Sequence, residues 1–227
     1  AAALLLSLGN TAFLGIPLIR YQLGEEAVLS AIVFDQLGSF LVLSFVAMSV
    51  IAGASATRMT KTGTQMQKVD FRAQLLGIIR FPPFISLLLA LVLSPTAAFD
   101  SDVWAQLQLP LIYLAKLLLP LAMVVIGLQF RFQLQPGGFF PLCVVLCSRM
   151  LFIPLLVLLG AKFLNIDPNV AVPTILQAAM PPMVTGVILL INADIAARFS
   201  ATVLGFGTLA AAITLPFWFY LTAQFFQ

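Results

Sequence analysis

Long apolar runs alternate with short polar interruptions along nearly the whole chain. A helix needs roughly 20 apolar residues to cross the hydrocarbon core of a bilayer. In those units the sequence predicts seven spans, over 1–19, 27–53, 73–94, 106–130, 139–164, 169–191 and 199–225. Two spans are broken by helix-disrupting residues. The first break reads Gly9-Asn10-Thr11-Ala12-Phe13-Leu14-Gly15-Ile16-Pro17 and the second Ala179-Met180-Pro181-Pro182-Met183-Val184-Thr185-Gly186. In lipid every backbone N–H and C=O needs a partner, so breaks persist only where they are buried in protein or line a watery cavity.

The surroundings of the two breaks share a plan. The first is followed by a polar turn, Arg20 to Glu26, and a long apolar helix from Ala27. The second is followed by Asn192 to Arg198 and another long helix. The broken spans are the first and the sixth, so they cross the membrane in opposite directions. That is the pattern of inverted-topology repeats, whose interrupted spans point to a transporter's substrate site. The expected fold is an all-α polytopic membrane protein of inverted five-helix repeats with crossed broken helices. Residues 1–53 supply the last two helices of the first repeat, 54–72 a linker, and 73–227 a complete second repeat. Seven of ten expected helices are then present, and three are expected upstream of Ala1.

The linker holds Arg58, Lys61, Lys68 and Arg72 against one acid, Asp70. The positive-inside rule places it in the cytoplasm. Alternation puts Arg131 and Arg198 on that side too. Arg20, Glu25, Glu26, Asp100, Asp102, Lys162, Asp167 and the C-terminus fall outside. Glu25 and Glu26 sit at a helix start, where the dipole favours them. The expected location is the plasma (inner) membrane, multi-pass.

Composition strengthens the membrane reading. Hydrophobic residues make up 62% of the 227 and charged residues 8%, against about 25% charged in soluble domains. Mean hydropathy is +1.11. There is no His, which removes the commonest metal ligand and the usual neutral-pH base. No metal-ligand cluster, nucleotide loop or nucleophile elbow supports an enzyme. Cys143 and Cys147 lie one helical turn apart in an apolar run and read as packing. No signal peptide is visible.

Four charges lie in or near spans: Asp35, Arg80, Lys116 and Arg149. Intramembrane charge is a functional hypothesis by default. Asp35 and Lys116 are candidates for coupling or for an ion pair, with each other or with residues elsewhere. Arg149 is either an anion-attracting residue or an interhelical donor. Arg80, before Phe81-Pro82-Pro83, is placed to snorkel. Gln36 and Gln177 are further polar candidates.

Asn10-Thr11-Ala12-Phe13-Leu14-Gly15-Ile16-Pro17-Leu18 resembles the Asn-Thr-x-x-x-Gly-x-Pro segment of the auxin efflux carrier family of secondary transporters. Ala178-Ala179-Met180-Pro181 with Gly186-Val187-Ile188-Leu189 resembles that family's second crossover. Pro120-Leu121-Ala122 with Ile126-Gly127 resembles its seventh helix. The resemblance implies ten helices in two inverted repeats, similar to bile-acid/sodium symporters and sodium/proton antiporters. It also implies a bacterial-type member of the bile/arsenite/riboflavin transporter superfamily. Plant members export indole-3-acetate, and bacterial members are associated with malate, malonate and other organic anions. The matching Asn of the auxin carriers contacts the substrate carboxylate, a role carried here to Asn10. Plant carriers have Pro before the Asn-Thr pair, where this chain has Gly9.

The function expected is a secondary transporter of small organic anions working by alternating access. A bile-acid/sodium-symporter-like carrier and a channel-like passive pore are the alternatives. Substrate contacts are expected from Asn10, Thr11, Gly15, Pro181, Pro182 and Thr185, with Gly9, Pro17 and Gly186 shaping the crossover. No cofactor is expected, and coupling to H+ or Na+ is left open. The expected partners are the organic anion and the lipid bilayer, with a homodimer as an option and no nucleic acid.

Overall fold

Among the described residues the apolar runs fold as helices, and the polar positions within them set where those helices start, stop and open. The computed structural model describes residues 2–43, 85–86, 88–89, 92, 102–128, 137–192 and 195–226. The basic linker 54–72 with Arg58, Lys61, Lys68, Asp70 and Arg72, the Arg80-Phe81-Pro82-Pro83 stretch, Asp100, Arg131 and most of the span 73–94 lie outside the described residues.

Helix α1 (Ala2–Ser7) ends at the first break. A π-helical segment (Thr11–Gly15) follows and runs into α2 (Ile16–Leu23). Gly24, at φ +86°, closes α2 with its amide on the Arg20 carbonyl, a conformation that suits a residue without Cβ. A 3₁₀ turn (Glu25–Ala27) leads into α3 (Val28–Val33), which continues as a second π-helical segment (Phe34–Phe40). Next come α4 (Asp102–Leu128) and α5 (Phe139–Phe163), the latter carrying a third π-helical segment (Ser148–Phe152). The second broken span is α6 (Pro168–Ala178) and α7 (Val184–Asn192), and α8 (Ala197–Phe226) follows. Asp167 caps α6 by accepting from the Asn169 amide at 2.8 Å, with Pro168 in the first helical position, where its missing N–H does no harm.

The outward faces are apolar. The most apolar 18 residues of helix α5 have mean hydropathy 2.6, yet only 33% of that stretch is buried. Leu151, Phe152, Leu155, Leu156, Leu159 and Phe163 are all exposed on it. A soluble core helix this apolar would be covered by protein, so this face belongs in lipid. At about 1.5 Å per residue, 25 residues reach about 37 Å, enough to cross the hydrocarbon.

Two buried clusters fill the interior. One joins Leu4, Leu5 and Leu8 of the α1 arm to Val184, Val187 and Leu190 of α7, with the first halves of α5 and α8. The other joins Ile19 of α2 and Ala31 of α3 to Ile175 and Leu176 of α6, with Met150 and Leu158 of α5 and the second half of α8. The first arm of one broken span therefore packs with the second arm of the other. Between the clusters lies a polar layer of Asn10, Thr11, Asp35, Ser39, Arg149 and Gln177, each at most 6% exposed.

Candidate functional site

The site grows from two stretches of backbone that cannot be helical. Pro181 and Pro182 have no N–H to give, and each biases the residue before it toward extended conformation. Gly9 and Asn10 leave the helix at the same level, with Asn10 at φ −77° and ψ 60°. The two extended stretches meet as an antiparallel bridge, Gly9 against Pro182. The Asn10 amide donates to the Pro181 carbonyl at 2.7 Å, and the Met183 amide to the Leu8 carbonyl at 3.0 Å. Each break thus supplies partners that the other lacks, as burial away from water requires.

Arg149 serves the carbonyls the bridge leaves over. Its side chain is 4% exposed. Nε donates to the Met180 carbonyl at 3.3 Å and Nη1 to the Leu6 carbonyl at 3.1 Å. Those oxygens lie at the C-terminal ends of α6 and α1, where carbonyls have no helical donor and the dipole is negative. Of the two sequence readings, the interhelical donor describes these contacts. Gly9 makes room for the guanidinium. A Cβ at position 9, alanine's or proline's, would stand 2.0 Å from Arg149 Nη2. That is a physical reason for glycine where the plant carriers have proline.

Thr11 leads the second arm of the first broken span away from the bridge. Its hydroxyl donates to Asp35 Oδ1 at 2.5 Å and lies 3.0 Å from Ser39 Oγ and 3.4 Å from the Gly9 carbonyl oxygen. Gln36 Nε2 donates to Asp35 Oδ2 at 2.8 Å. Gln177 Nε2 donates to the Ala31 carbonyl at 3.1 Å. Among the described residues the buried oxygens Asn10 Oδ1, Gln36 Oε1 and Gln177 Oε1 meet no hydrogen-bond partner. Glycines allow the close approach: a Cβ on Gly15 would stand 2.1 Å from Gln177 Oε1, and one on Gly186 would stand 3.2 Å from Leu8 Cδ1.

Some expectations need correction. The first break is confined to Leu8–Asn10; Gly15 and Pro17 are already helical, so Pro17 does not open the chain there. Proline at 17 instead removes the donor that the Phe13 carbonyl would have used, and the wider π turn of Thr11–Gly15 sits immediately before it. Thr185 and Gly186 likewise lie inside α7, with Thr185 half-buried. Asp35 and Lys116 do not pair. Asp35 is held by Thr11 and Gln36, while Lys116 lies exposed on α4 with Nζ 5.6 Å from the Tyr113 ring centre. Among the described residues the ion pair is Arg20–Glu25 at 2.9 Å, exposed on both sides and worth little. Cys143 and Cys147 are free thiols.

Sequence reasoning missed three features. Ser39 joins the Thr11–Asp35 contact one helical turn beyond Asp35. Gly207 lets α8 reach the second break, since a Cβ there would stand 2.8 Å from Pro182 Cδ. Trp218 donates its indole N–H to the Met150 carbonyl at 2.7 Å. That carbonyl has lost its usual helical donor because Pro154 stands four residues on. The repeated Ile-Pro pair, at 16–17 and 153–154, each just after a π-helical segment, is the signal that was available.

An open apolar groove of about 500 Å³ runs beside the second arm of the first broken span, lined by Leu14, Leu18 and Gln22 on one wall and Ala211, Leu215 and Phe219 of α8 on the other.

Among known proteins, a protein of Methanothermobacter thermautotrophicus (strain Delta H) described as an uncharacterised transporter is 24% identical over 219 residues, 92% of this chain and 63% of that protein. The chain therefore spans less than two thirds of that relative's length. No solved structure matches. The family model described as membrane transport protein matches residues 1–219, nearly the entire chain. With that extent of match, the chain belongs to the membrane transport protein family, the family of the auxin efflux carriers.

Proposed function

We propose that the protein is a secondary transporter of small organic anions, binding a carboxylate at the crossover and exposing it to either side by alternating access. The observation that carries this reading is the Gly9–Pro182 bridge with Arg149 beside it. A helix end carries about half a unit charge, negative at the C-terminus and positive at the N-terminus. Arg149 offsets the two negative ends, of α1 and α6, with one positive charge. The two positive ends, of the Thr11 run and of α7, have one carboxyl group near them among the described residues, Asp35, which accepts from the Thr11 hydroxyl. When that carboxyl is neutral, the two ends together favour a visiting anion of about one unit charge. Asn10, on the bridge and 3% exposed, supplies an amide, and Thr185 a hydroxyl in the first turn of α7. The groove beside Leu14 offers a path and an apolar wall for the rest of the substrate.

The inverted five-helix repeat belongs to the same proposal. It is supported by the antiparallel bridge and by the packing of opposite arms. Movement of one bundle against the other would carry the bridged site as a unit.

Purified full-length protein in proteoliposomes tests the reading through malonate and indole-3-acetate uptake. Saturable flux with counterflow is expected, and Asn10→Ala is expected to lower it at least tenfold while the protein still reaches the membrane. Unsaturable conduction would replace the carrier by a pore. Unchanged kinetics in Asn10→Ala would remove the site assignment.

A further inference from the structure

Asn10 holds an N-cap position and does not cap. Asparagine there ordinarily turns its side-chain oxygen back to accept from an amide of the first helical turn. Here the run 11–23 begins without any such bond. Asn10 is 3% exposed, and its Oδ1 is buried with no hydrogen-bond partner among the described residues. The backbone around it is fixed. The Asn10 amide donates to the Pro181 carbonyl, and the Leu14 and Gly15 amides donate to the Asn10 carbonyl. The amides of the run's first turn have no helical acceptor of their own. An anion can take those amides while Oδ1 stays open to a donor. Two further oxygens, Gln36 Oε1 and Gln177 Oε1, are buried without a partner among the described residues. Gln177 Oε1 lies against Gly15, on the same run. All three are acceptors. A carboxylate brings only acceptors, so a bare carboxylate leaves Asn10 Oδ1 unpartnered. A buried acceptor left that way is costly.

We propose that the crossover selects 2-hydroxy carboxylates, with the Asn10 side chain reading the hydroxyl. The inference rests on the carboxylate reading above and narrows its substrate class. Nδ2 donates to a carboxylate oxygen while Oδ1 accepts from the hydroxyl on the neighbouring carbon. A side-chain amide offers that donor and acceptor side by side, as when asparagine reads the edge of adenine. A 2-hydroxy acid presents the complementary pair, an acceptor and a donor on adjacent carbons. A 2-amino acid also presents donors there, but as an ammonium. The positive ends of the Thr11 run and of α7 disfavour that cation. Arg149, whose Nη2 lies against Gly9, disfavours it again. A site whose buried polar group is matched to a substrate hydroxyl rejects the analogue that lacks it.

Glycolate, acetate and glycine differ only in what C2 carries. Their equilibrium binding to the full-length protein in lipid nanodiscs tests the inference. Glycolate is expected to bind at least about tenfold more tightly than acetate, as one newly partnered buried acceptor implies. Glycine is expected to bind more weakly than either. The glycolate preference is expected to fall to near unity in Asn10→Ala. If that variant fails to fold, the wild-type comparison decides the substrate class by itself. Equal affinities for glycolate and acetate overturn the proposal and leave the carboxylate reading standing. Tightest binding of glycine overturns it in favour of a zwitterion. A preference that persists in folded Asn10→Ala overturns the role of Asn10. Binding of none of the three removes the carboxylate reading along with the proposal.

Discussion

Gly9 and Arg149 form one device although they lie 140 positions apart in sequence. The guanidinium reaches two orphaned carbonyls because residue 9 has no side chain. Gly9→Ala should displace the guanidinium and lose both bonds, lowering stability by about 2–3 kcal/mol, as hydrogen bonds to charged groups suggest. Thermal unfolding in detergent measures this, and an unchanged midpoint would show that the bonds matter little. Arg149→Lys should fall short of full rescue, because an ammonium lacks the planar fork that spans two acceptors. The sequence named Gly9, Asn10, Thr11, Asp35 and Arg149 but not their pairings. Asp35 and Lys116 looked like partners because both are charges in apolar runs. Which face each occupies depends on helix rotation, which such runs do not specify.

The described π-helical segments each carry a residue of the polar layer: Thr11, Asp35 and Arg149. A π turn widens the helix and redirects a side chain without ending the span, and such turns concentrate at functional sites. In α5 the cause is legible. Pro154 deprives the Met150 carbonyl of its donor, and Trp218 from α8 replaces it. Trp218→Phe keeps the ring but loses the N–H, and should cost about 1–2 kcal/mol by leaving a buried acceptor unmade. Pro154→Ala restores an amide that can reach the same carbonyl. The double variant should therefore lose less than the sum of the two single losses. Strict additivity in a double-mutant cycle would break the link between that proline and that tryptophan. For Phe34–Phe40 no proline gives warning, and its π geometry was not readable from hydrophobic period alone.

Two of the spans, met as the helices Phe139–Phe163 and Ala197–Phe226, were legible because the bilayer sets their length. Counting predicts opposed directions for the two broken spans, and the local bridge between them is antiparallel. The lateral arrangement was not legible, since lipid-facing and protein-facing apolar residues look alike in sequence. One distance makes the crossover testable. The Leu8 Cβ lies 3.9 Å from where a Cβ on Gly186 would be, close to the mean separation across a disulfide. In a background of Cys143→Ser and Cys147→Ser, Leu8→Cys with Gly186→Cys should crosslink on mild oxidation. Failure to crosslink in the folded protein would mean that the arms do not meet there. If the bridged site moves as one body, transport should survive the crosslink. Arrest on oxidation with recovery on reduction would instead show that the arms must slide past each other.

The shared bridge also bears on how the protein is made. The Leu8 carbonyl and Asn10 amide enter the membrane about 170 residues before the Met183 amide and Pro181 carbonyl that satisfy them. During that interval the first arm has no lawful place in hydrocarbon. It must stay wet, stay helical, or shelter against other protein until the second arm is synthesised. The bridge is thus a closing step of assembly, and a chain cut short before Pro181 would carry a span that lipid cannot hold in its final shape.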